Sequence, residues 1–430
     1  MKLLLITYSY TPDLTPRAFR WSAVVGELVA RGHEVHVLCA SPVPGREEAP
    51  GPVIHRVKDW LLNGSKRVTA GASANNVPVR GAVVTMARKL VRQCVRMVWR
   101  GLYWPDHACG WVIPALRKAR TLDAEIGFDW IISSSHPFSG HLVGLLLKKK
   151  APNARWLVDI SDPFALMKEP SPYNRILYGW LSNWMEGRVV VCADAISVTT
   201  ESTRKLYIDH FRLDARFVTV IPPLLSLPDA PAPTQRSDRT LRIVFVGTLY
   251  RRLRSPTFLL ACAATLKQAY PDIPLEVHFY GALNDCGDQL APYTNLADPF
   301  VFAHGMVDRV AVLQAMVDAD VLVNIGNDSE AQLASKVVEY MAVGRPILNI
   351  ISIDKDTSVA ALVDYSSALT IRRTEGNPSV DLIERLHRFL TDLPAVDAQI
   401  PRIVRERYSP ASITRQYEQL LGIGSSRDGA

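Results

Sequence analysis

Short apolar runs alternate with helical stretches along most of this chain. Residues 3–7 form one apolar run, residues 18–30 repeat apolar side chains at helical spacing before Gly32, and residues 34–39 form a second run. A strand, a helix and a strand within about forty residues make a βαβ unit, and such units build parallel sheets covered on both faces. Residues 130–133, 156–159, 195–198 and 218–221 continue the pattern as strands with helical stretches between them. Between 222 and 240 the composition shifts to Pro, Ser, Asp and Arg, as in an extended linker. The pattern then restarts with strands at 242–247, 275–280, 300–303, 321–325 and 346–350, followed by a last helix at 411–421 and a polar tail. The expected fold class is therefore α/β, with a first domain at 1–225, a linker at 226–240, a second domain at 241–408 and a terminal helix and tail at 409–430. Ligands of open α/β sheets bind outside the carboxyl ends of the strands, so the site is expected there, in a cleft between the two domains.

Composition narrows the class. With 430 residues, 48% hydrophobic and 21% charged, the chain is globular and not disordered, and long enough for two or three domains. A net charge of +7 favours anionic partners such as nucleotide phosphates or acidic lipid. The six cysteines contain no C-x-x-C pair, which argues against a zinc or redox centre and for reduced thiols in a cytosol. The first apolar run is too short for a signal sequence, and nothing approaches the roughly 18 apolar residues of a membrane span. Any membrane contact is expected to be peripheral. Between Arg80 and Arg120 stand nine basic residues and one acidic residue, Asp106, and Arg88, Arg92, Arg96 and Arg100 recur every four positions. Such a stripe on a helix suits an anionic membrane surface, or equally a solvated rim on a core-facing helix. No nucleic-acid-binding module accompanies it.

The most informative chemistry lies near residue 336. Lys336 and Glu339 are three apart, which places both on one helix face near its start. The cation suits a diphosphate and the carboxylate suits ribose hydroxyls, with the helix N-terminus adding its pull on phosphate. A lone pair at this spacing is more often a surface ion pair. Asp318-Ala319-Asp320 formally matches a metal-holding Asp-x-Asp, but it lies between a helix and an apolar strand and reads as structural. No metal is expected. A dehydrogenase would need a Gly-x-Gly-x-x-Gly turn after a strand, and neither domain opens with one.

The pattern Ser335-Lys336-x-x-Glu339-Tyr340-x-Ala342-x-Gly344-x-Pro346 resembles the donor-binding motif of family 4 glycosyltransferases, retaining enzymes of the GT-B fold. Gly32-His33-Glu34-Val35, Phe245-Val246-Gly247-Thr248-Leu249, His304-Gly305 and Ala319-Asp320-Val321-Leu322-Val323 stand in that family's order, so the resemblance spans most of the chain. It implies two Rossmann-like domains facing across a cleft, with the C-terminal helix packing back toward the first. It further implies transfer of a sugar from a nucleotide-diphosphate-sugar to an acceptor hydroxyl with retention of configuration, in polysaccharide or glycolipid biosynthesis of the bacterial surface type. The acceptor would be lipid-linked or a saccharide, and the enzyme cytoplasmic, peripheral on the inner face of the plasma membrane. By the same resemblance Glu339 binds the donor ribose and Lys336 the diphosphate. The family's Glu-x7-Glu pair would put its first carboxylate at 331, where Ala331 stands; Glu330 is one place off and would serve only with a shift of the loop. A second phosphate cation is expected after Gly247, with Arg254 chosen and Arg251 and Arg252 as substitutes. His136 would meet the donor sugar from the other domain, Asp162 would orient an acceptor hydroxyl or cap a helix, and Arg17 would lie near the diphosphate. A non-catalytic relative, or one that epimerises or hydrolyses the nucleotide-sugar, is the alternative.

Overall fold

The structure is a computed structural model that describes residues 1–13, 15–41, 45–47, 51–60, 103–167, 175–225, 227–228, 231–327, 336–374 and 376–422. The chain divides into two compact units, Met1–Pro222 together with Ile413–Ala430, and Pro223–Ser412.

In the first unit the strands are β1 (Lys2–Ile6), β2 (Glu34–Ala40), β3 (Gly45–Glu47), β4 (Val53–Val57), β5 (Trp130–Ser134), β6 (Arg155–Ile160), β7 (Ala195–Val198) and β8 (Val218–Val220). They form one sheet in the order β3-β4-β2-β1-β5-β6-β7-β8, parallel throughout except for the short antiparallel β3. The helices are α1 (Pro16–Ala30), α2 (Val112–Ile126), α3 (Ser139–Lys148), α4 (Arg175–Cys192) and α5 (Glu201–Phe211). The start of α1 follows from its sequence: Thr15 caps it by accepting from the Ala18 amide at 3.2 Å, and Pro16 occupies its first turn. Leu4, Ile6, Leu38, Ile131, Val158 and Ile196 form the core on one face of the sheet with Trp111 and Trp156.

The second unit contains β9 (Leu241–Val246), β10 (Leu275–Tyr280), β11 (Val301–Gly305), β12 (Val321–Ile325), β13 (Ile347–Ile351) and β14 (Ala368–Arg372), all parallel, in the order β11-β10-β9-β12-β13-β14. Its helices are α6 (Thr257–Ala269), α7 (Gly287–Thr294), α8 (Arg309–Asp318), α9 (Lys336–Val343), α10 (Thr357–Ala361), α11 (Val380–Thr391) and α12 (Gln399–Arg407), with α13 (Pro410–Leu420) leading back into the first unit. The period of two along β9 sorts its side chains between two cores. Ile243 and Phe245 pack beneath α6 and α11, whereas Val244 and Val246 pack with α8 and α9 on the other face. Both faces are covered, as a parallel sheet requires.

Either sheet reverses its strand order once, between β1 and β5 in the first unit and between β9 and β12 in the second. The loops leaving the carboxyl ends of neighbouring strands diverge at such switch points and leave a crevice. The terminal segment belongs to the first unit through Tyr417, which is buried against Trp21 with ring centroids 5.1 Å apart. Its hydroxyl accepts from Arg20 Nη2 and donates to Asp159 Oδ1, both at 2.8 Å. Among the described residues no helix is long and apolar enough to cross a membrane.

Candidate active site

The first switch point brings together Arg17, His136 and Asp162 from the loops after β1, β5 and β6. Arg17 lies in the first turn of α1, and its Nη2 donates to Asp162 Oδ2 at 2.9 Å while its Nε donates to the Ser135 carbonyl. Among the described residues Asp162 therefore pairs with a cation from another segment and accepts from no helix N-terminus. His136 is partly buried beside this pair, with both ring nitrogens enclosed and neither making a hydrogen bond of ordinary geometry. Burial, followed by the Arg17 charge, pushes its pKa down to about 4, against the pull of Asp162 and the Pro163 carbonyl. At neutral pH the imidazole is uncharged, with one N–H to donate and one lone pair to accept, which suits a sugar hydroxyl.

Two buried carboxylates hold this half in place. Asp106 accepts from the Ser139 amide at 2.9 Å and from its hydroxyl at 2.7 Å, which fixes the turn from His136 into α3. Glu186 on α4 accepts from the amides of Phe164 and Ala165 at 2.9 and 2.8 Å and from the Tyr207 hydroxyl, which fixes the loop carrying Asp162. Phe164 in turn stacks on Phe138, ring centroids 4.1 Å apart. In the sequence Asp106 stands out only as the lone acid of a basic stretch and Glu186 not at all, although an acidic residue inside an otherwise basic or apolar stretch is the signal of such a role.

At the second switch point, Gly247 follows β9 with φ 154°, and its carbonyl lies where a side chain on Gly281 would stand: a Cβ there would come within 2.1 Å. The two loops close on each other because Gly281 lacks a side chain. Tyr250 and Arg254 then exchange backbone hydrogen bonds, which folds the loop back and turns the Arg254 side chain inward. Its Nη2 donates to Asn327 Oδ1, from the loop after β12, at 2.7 Å. Nε is buried without a partner, and among the described residues no carboxylate forms an ion pair with this guanidinium. Burial lowers its pKa from the usual value. Asp356 is within electrostatic reach but no ion pair forms among the described residues, so a largely buried cation keeps its charge available and the arrangement is suited to an anion.

Lys336 and Glu339 open α9, with Nζ and Oε2 2.6 Å apart and both side chains partly exposed. The helix is tied to the end of β9 by Tyr340, whose hydroxyl accepts from the Val246 amide at 2.9 Å and donates to the Val246 carbonyl at 3.2 Å. Tyr340 is within electrostatic reach of both Glu339 and Arg254, so these two predicted charges lie on either side of the tie between α9 and β9.

Two family models match the chain, a glycosyl transferase 4-like domain over residues 18–223 and a glycosyl transferases group 1 domain over residues 240–392. The chain belongs to the GT4-type glycosyltransferases. Solved structures agree on the fold, which is of GT-B type. The apo form of the lipopolysaccharide outer core galactosyltransferase WaaB has a TM-score of 0.57 at 12% identity, with 98% of this chain and 99% of that one covered. An E. coli trehalose-6-phosphate structure bound with UDP-2-fluoro glucose has a TM-score of 0.63 at 15% identity, with 98% and 99% covered. The catalytic domain of starch synthase IV from Arabidopsis thaliana, bound to ADP and acarbose, has a TM-score of 0.59 at 10% identity, again with 98% and 99% covered. Among curated proteins no sequence match reaches significance.

In this glycosyltransferase the other expected residues sort by their partners. Arg251 is committed to the Asp285 carbonyl and to Asp288, and Arg252 points to solvent, which leaves Arg254 as the inward cation of its loop. Asp318 accepts from the Thr234 amide and hydroxyl, both at 2.7 Å, and Asp320 binds Arg236 through both oxygens and the Arg242 amide. Both carboxylates of the Asp-x-Asp therefore brace the segment before β9. Glu330, Ala331 and Ser335 lie outside the described residues, as does the whole basic stretch from Arg80 to Arg100.

Proposed function

We propose that this glycosyltransferase takes its sugar from a nucleoside-diphosphate sugar held by the second unit. Arg254 and Lys336 meet the diphosphate, and Glu339 accepts from the ribose hydroxyls, for which it must release Lys336. The observation that carries this reading is Arg254, a largely buried guanidinium aimed by a neutral amide at a switch point and held in no ion pair among the described residues. In the reaction the bond from the anomeric carbon to the diphosphate oxygen breaks, and the acceptor oxygen bonds to that carbon on the same face, so configuration is retained. The acceptor proton passes to the departing diphosphate, whose developing charge Arg254 and Lys336 stabilise. His136, uncharged, holds a hydroxyl of the transferred sugar, with Asp162 orienting the acceptor and Arg17 adding positive potential. We assign no role to a metal; the positive groups in this scheme are side chains. The acceptor is a saccharide or a lipid-linked saccharide of a surface polysaccharide or glycolipid, and the enzyme works at the cytoplasmic side. The UDP-sugar analogue and the ADP in two neighbouring structures, and the lipopolysaccharide outer core galactosyltransferase that is a third, support this reading.

The test is calorimetric titration of the purified protein, and of its Lys336→Ala and Glu339→Ala variants, with UDP-, GDP- and ADP-sugars. Saturable binding of one nucleotide class, lost in both variants, is the expected result. Folded protein that binds none of them would overturn the proposal.

A further inference from the structure

The edge of the second sheet carries a pair of histidines that the donor site does not use. His278 on β10 and His304 on the neighbouring edge strand β11 bring their rings together, with Nδ1 of the first and Nε2 of the second 3.0 Å apart and the ring planes inclined by 14°. The pairing of the two strands shifts register between Phe279 and Tyr280, so His304 is an extra residue in β11, and such irregularities re-aim side chains. Tyr280 stacks on His304 with ring centroids 4.2 Å apart and Phe302 on His278 at 5.0 Å, which holds both rings in place. The far nitrogen of His278, Nε2, donates to Glu276 Oε2 at 3.1 Å and so leaves Nδ1 with its lone pair. Burial pushes the pKa of both imidazoles down, so the pair is uncharged at neutral pH. Arg242, the nearby cation, is 3.6 Å from Glu276 and 3.2 Å from Asp238, so its charge is balanced.

We propose that His278 Nδ1 and His304 Nε2 together bind a divalent transition-metal ion, Cu²⁺ or Ni²⁺, in place of the proton they share. Two imidazole lone pairs at 3.0 Å need a positive centre between them. The proton on Nε2 of His304 supplies it, and that proton moves to Nδ1 of the same ring when the ion takes its place. Nitrogens at this separation, each about 2.0–2.1 Å from an ion, subtend about 90–95° at it, the angle of tetragonal sites rather than of tetrahedral zinc. Glu276 is the outer carboxylate that fixes the tautomer and strengthens the donor. Among the described residues no group of three or more His, Cys, Asp or Glu side chains could hold an ion, so water completes the coordination. Exposure distinguishes this pair from its counterpart in the first unit. Glu34, His36 and His55 repeat the arrangement at 3.1 and 3.0 Å, but His36 and His55 are 5% and 2% exposed and their shared proton stays enclosed, whereas His304 is open to solvent. The inference does not depend on the reading of the donor site, and the ion takes no part in the transfer.

Calorimetric titration of the untagged full chain with Ni²⁺ or Cu²⁺ tests it. The wild type is expected to bind a single ion saturably, and His304→Gln and His278→Gln to bind it at least about tenfold more weakly, with Glu276→Gln weakened in the same direction. His210→Gln, at an exposed histidine elsewhere, leaves binding unchanged. Ni²⁺ raises the melting temperature of the wild type and not that of His304→Gln, because only the wild type gains binding energy in its folded state. The electron paramagnetic resonance spectrum of the Cu²⁺ form shows two nitrogen donors, a measurement on the wild type that stands should a variant fail to fold. Wild type without saturable binding overturns the proposal, as does equal binding by His304→Gln, which would assign the ion to other histidines. A spectrum with fewer than two nitrogen donors overturns it too.

Discussion

Arg254 and Asn327 meet across the switch point of the second sheet, the guanidinium Nη2 donating to the amide oxygen at 2.7 Å. They come from the loops after β9 and β12, strands adjacent in the sheet and far apart in sequence. The amide aims the cation without cancelling its charge. A carboxylate in the same place would hold it equally well and leave nothing for an anion.

Arg254→Lys is therefore expected to weaken binding of the nucleoside diphosphate about tenfold or more, because an ammonium lacks the planar fork and cannot reach both partners. Asn327→Asp should weaken it too, by neutralising Arg254. Affinity for the bare nucleoside stays unchanged in both variants. Calorimetry with the two ligands side by side checks this, and equal diphosphate affinity in all three proteins would remove Arg254 from the phosphate site.

Lys336→Met and Glu339→Gln should separate binding from stability. The pair is partly exposed, so each variant should melt within about 1 kcal/mol of wild type. Donor affinity should nevertheless fall about ten- to a hundredfold, as befits hydrogen bonds to charged groups. Thermal melts paired with titrations decide it; unchanged affinity would make the pair a surface feature only.

Tyr417→Phe removes one oxygen that serves both Arg20 and Asp159. Both partners are buried, and the expected cost to the first unit is about 2–3 kcal/mol. Urea unfolding followed by tryptophan fluorescence measures it. A midpoint equal to wild type would show that the terminal helix is held by apolar packing alone.

Acid should destabilise the first unit through two histidines. Burial pushes His136 down to about 4 and His141 to about 3, from an unfolded value near 6.5. The unfolded chain thus binds more protons between these limits, and the stabilisation is complete above pH 6.5 and lost as pH falls toward 4. Each histidine contributes a slope of up to about 1.4 kcal/mol per pH unit. Asp106 and Glu186, whose pKa values are raised by burial, act in the opposite direction. The difference between wild-type and His136→Gln stability curves isolates the histidine, and parallel curves would refute its low pKa.

Much of the fold was legible because buried parallel strands are nearly continuous apolar runs, and β7, β10 and β12 fall where those runs predict. The strands β4 and β14, one next to an edge and one at an edge, were missed for the complementary reason. Val53–Val57 and Ala368–Arg372 are only partly buried, so polar residues interrupt them and no run stands out. The Lys336 and Glu339 pair could be read directly, since a spacing of three on one helix fixes two side chains on one face. Choosing among Arg251, Arg252 and Arg254 could not be done that way. All three have the same chemistry within four positions, and their difference lies in partners from remote segments: Asp285 and Asp288 for Arg251, Asn327 for Arg254. The same holds for Asp106 and Glu186, whose worth comes from the amides of Ser139, Phe164 and Ala165. Local periodicity reports which face of an element is buried, because burial follows from the residue types along that element. Which charge meets which amide depends on strand order, and strand order is set by long-range packing that no local pattern encodes.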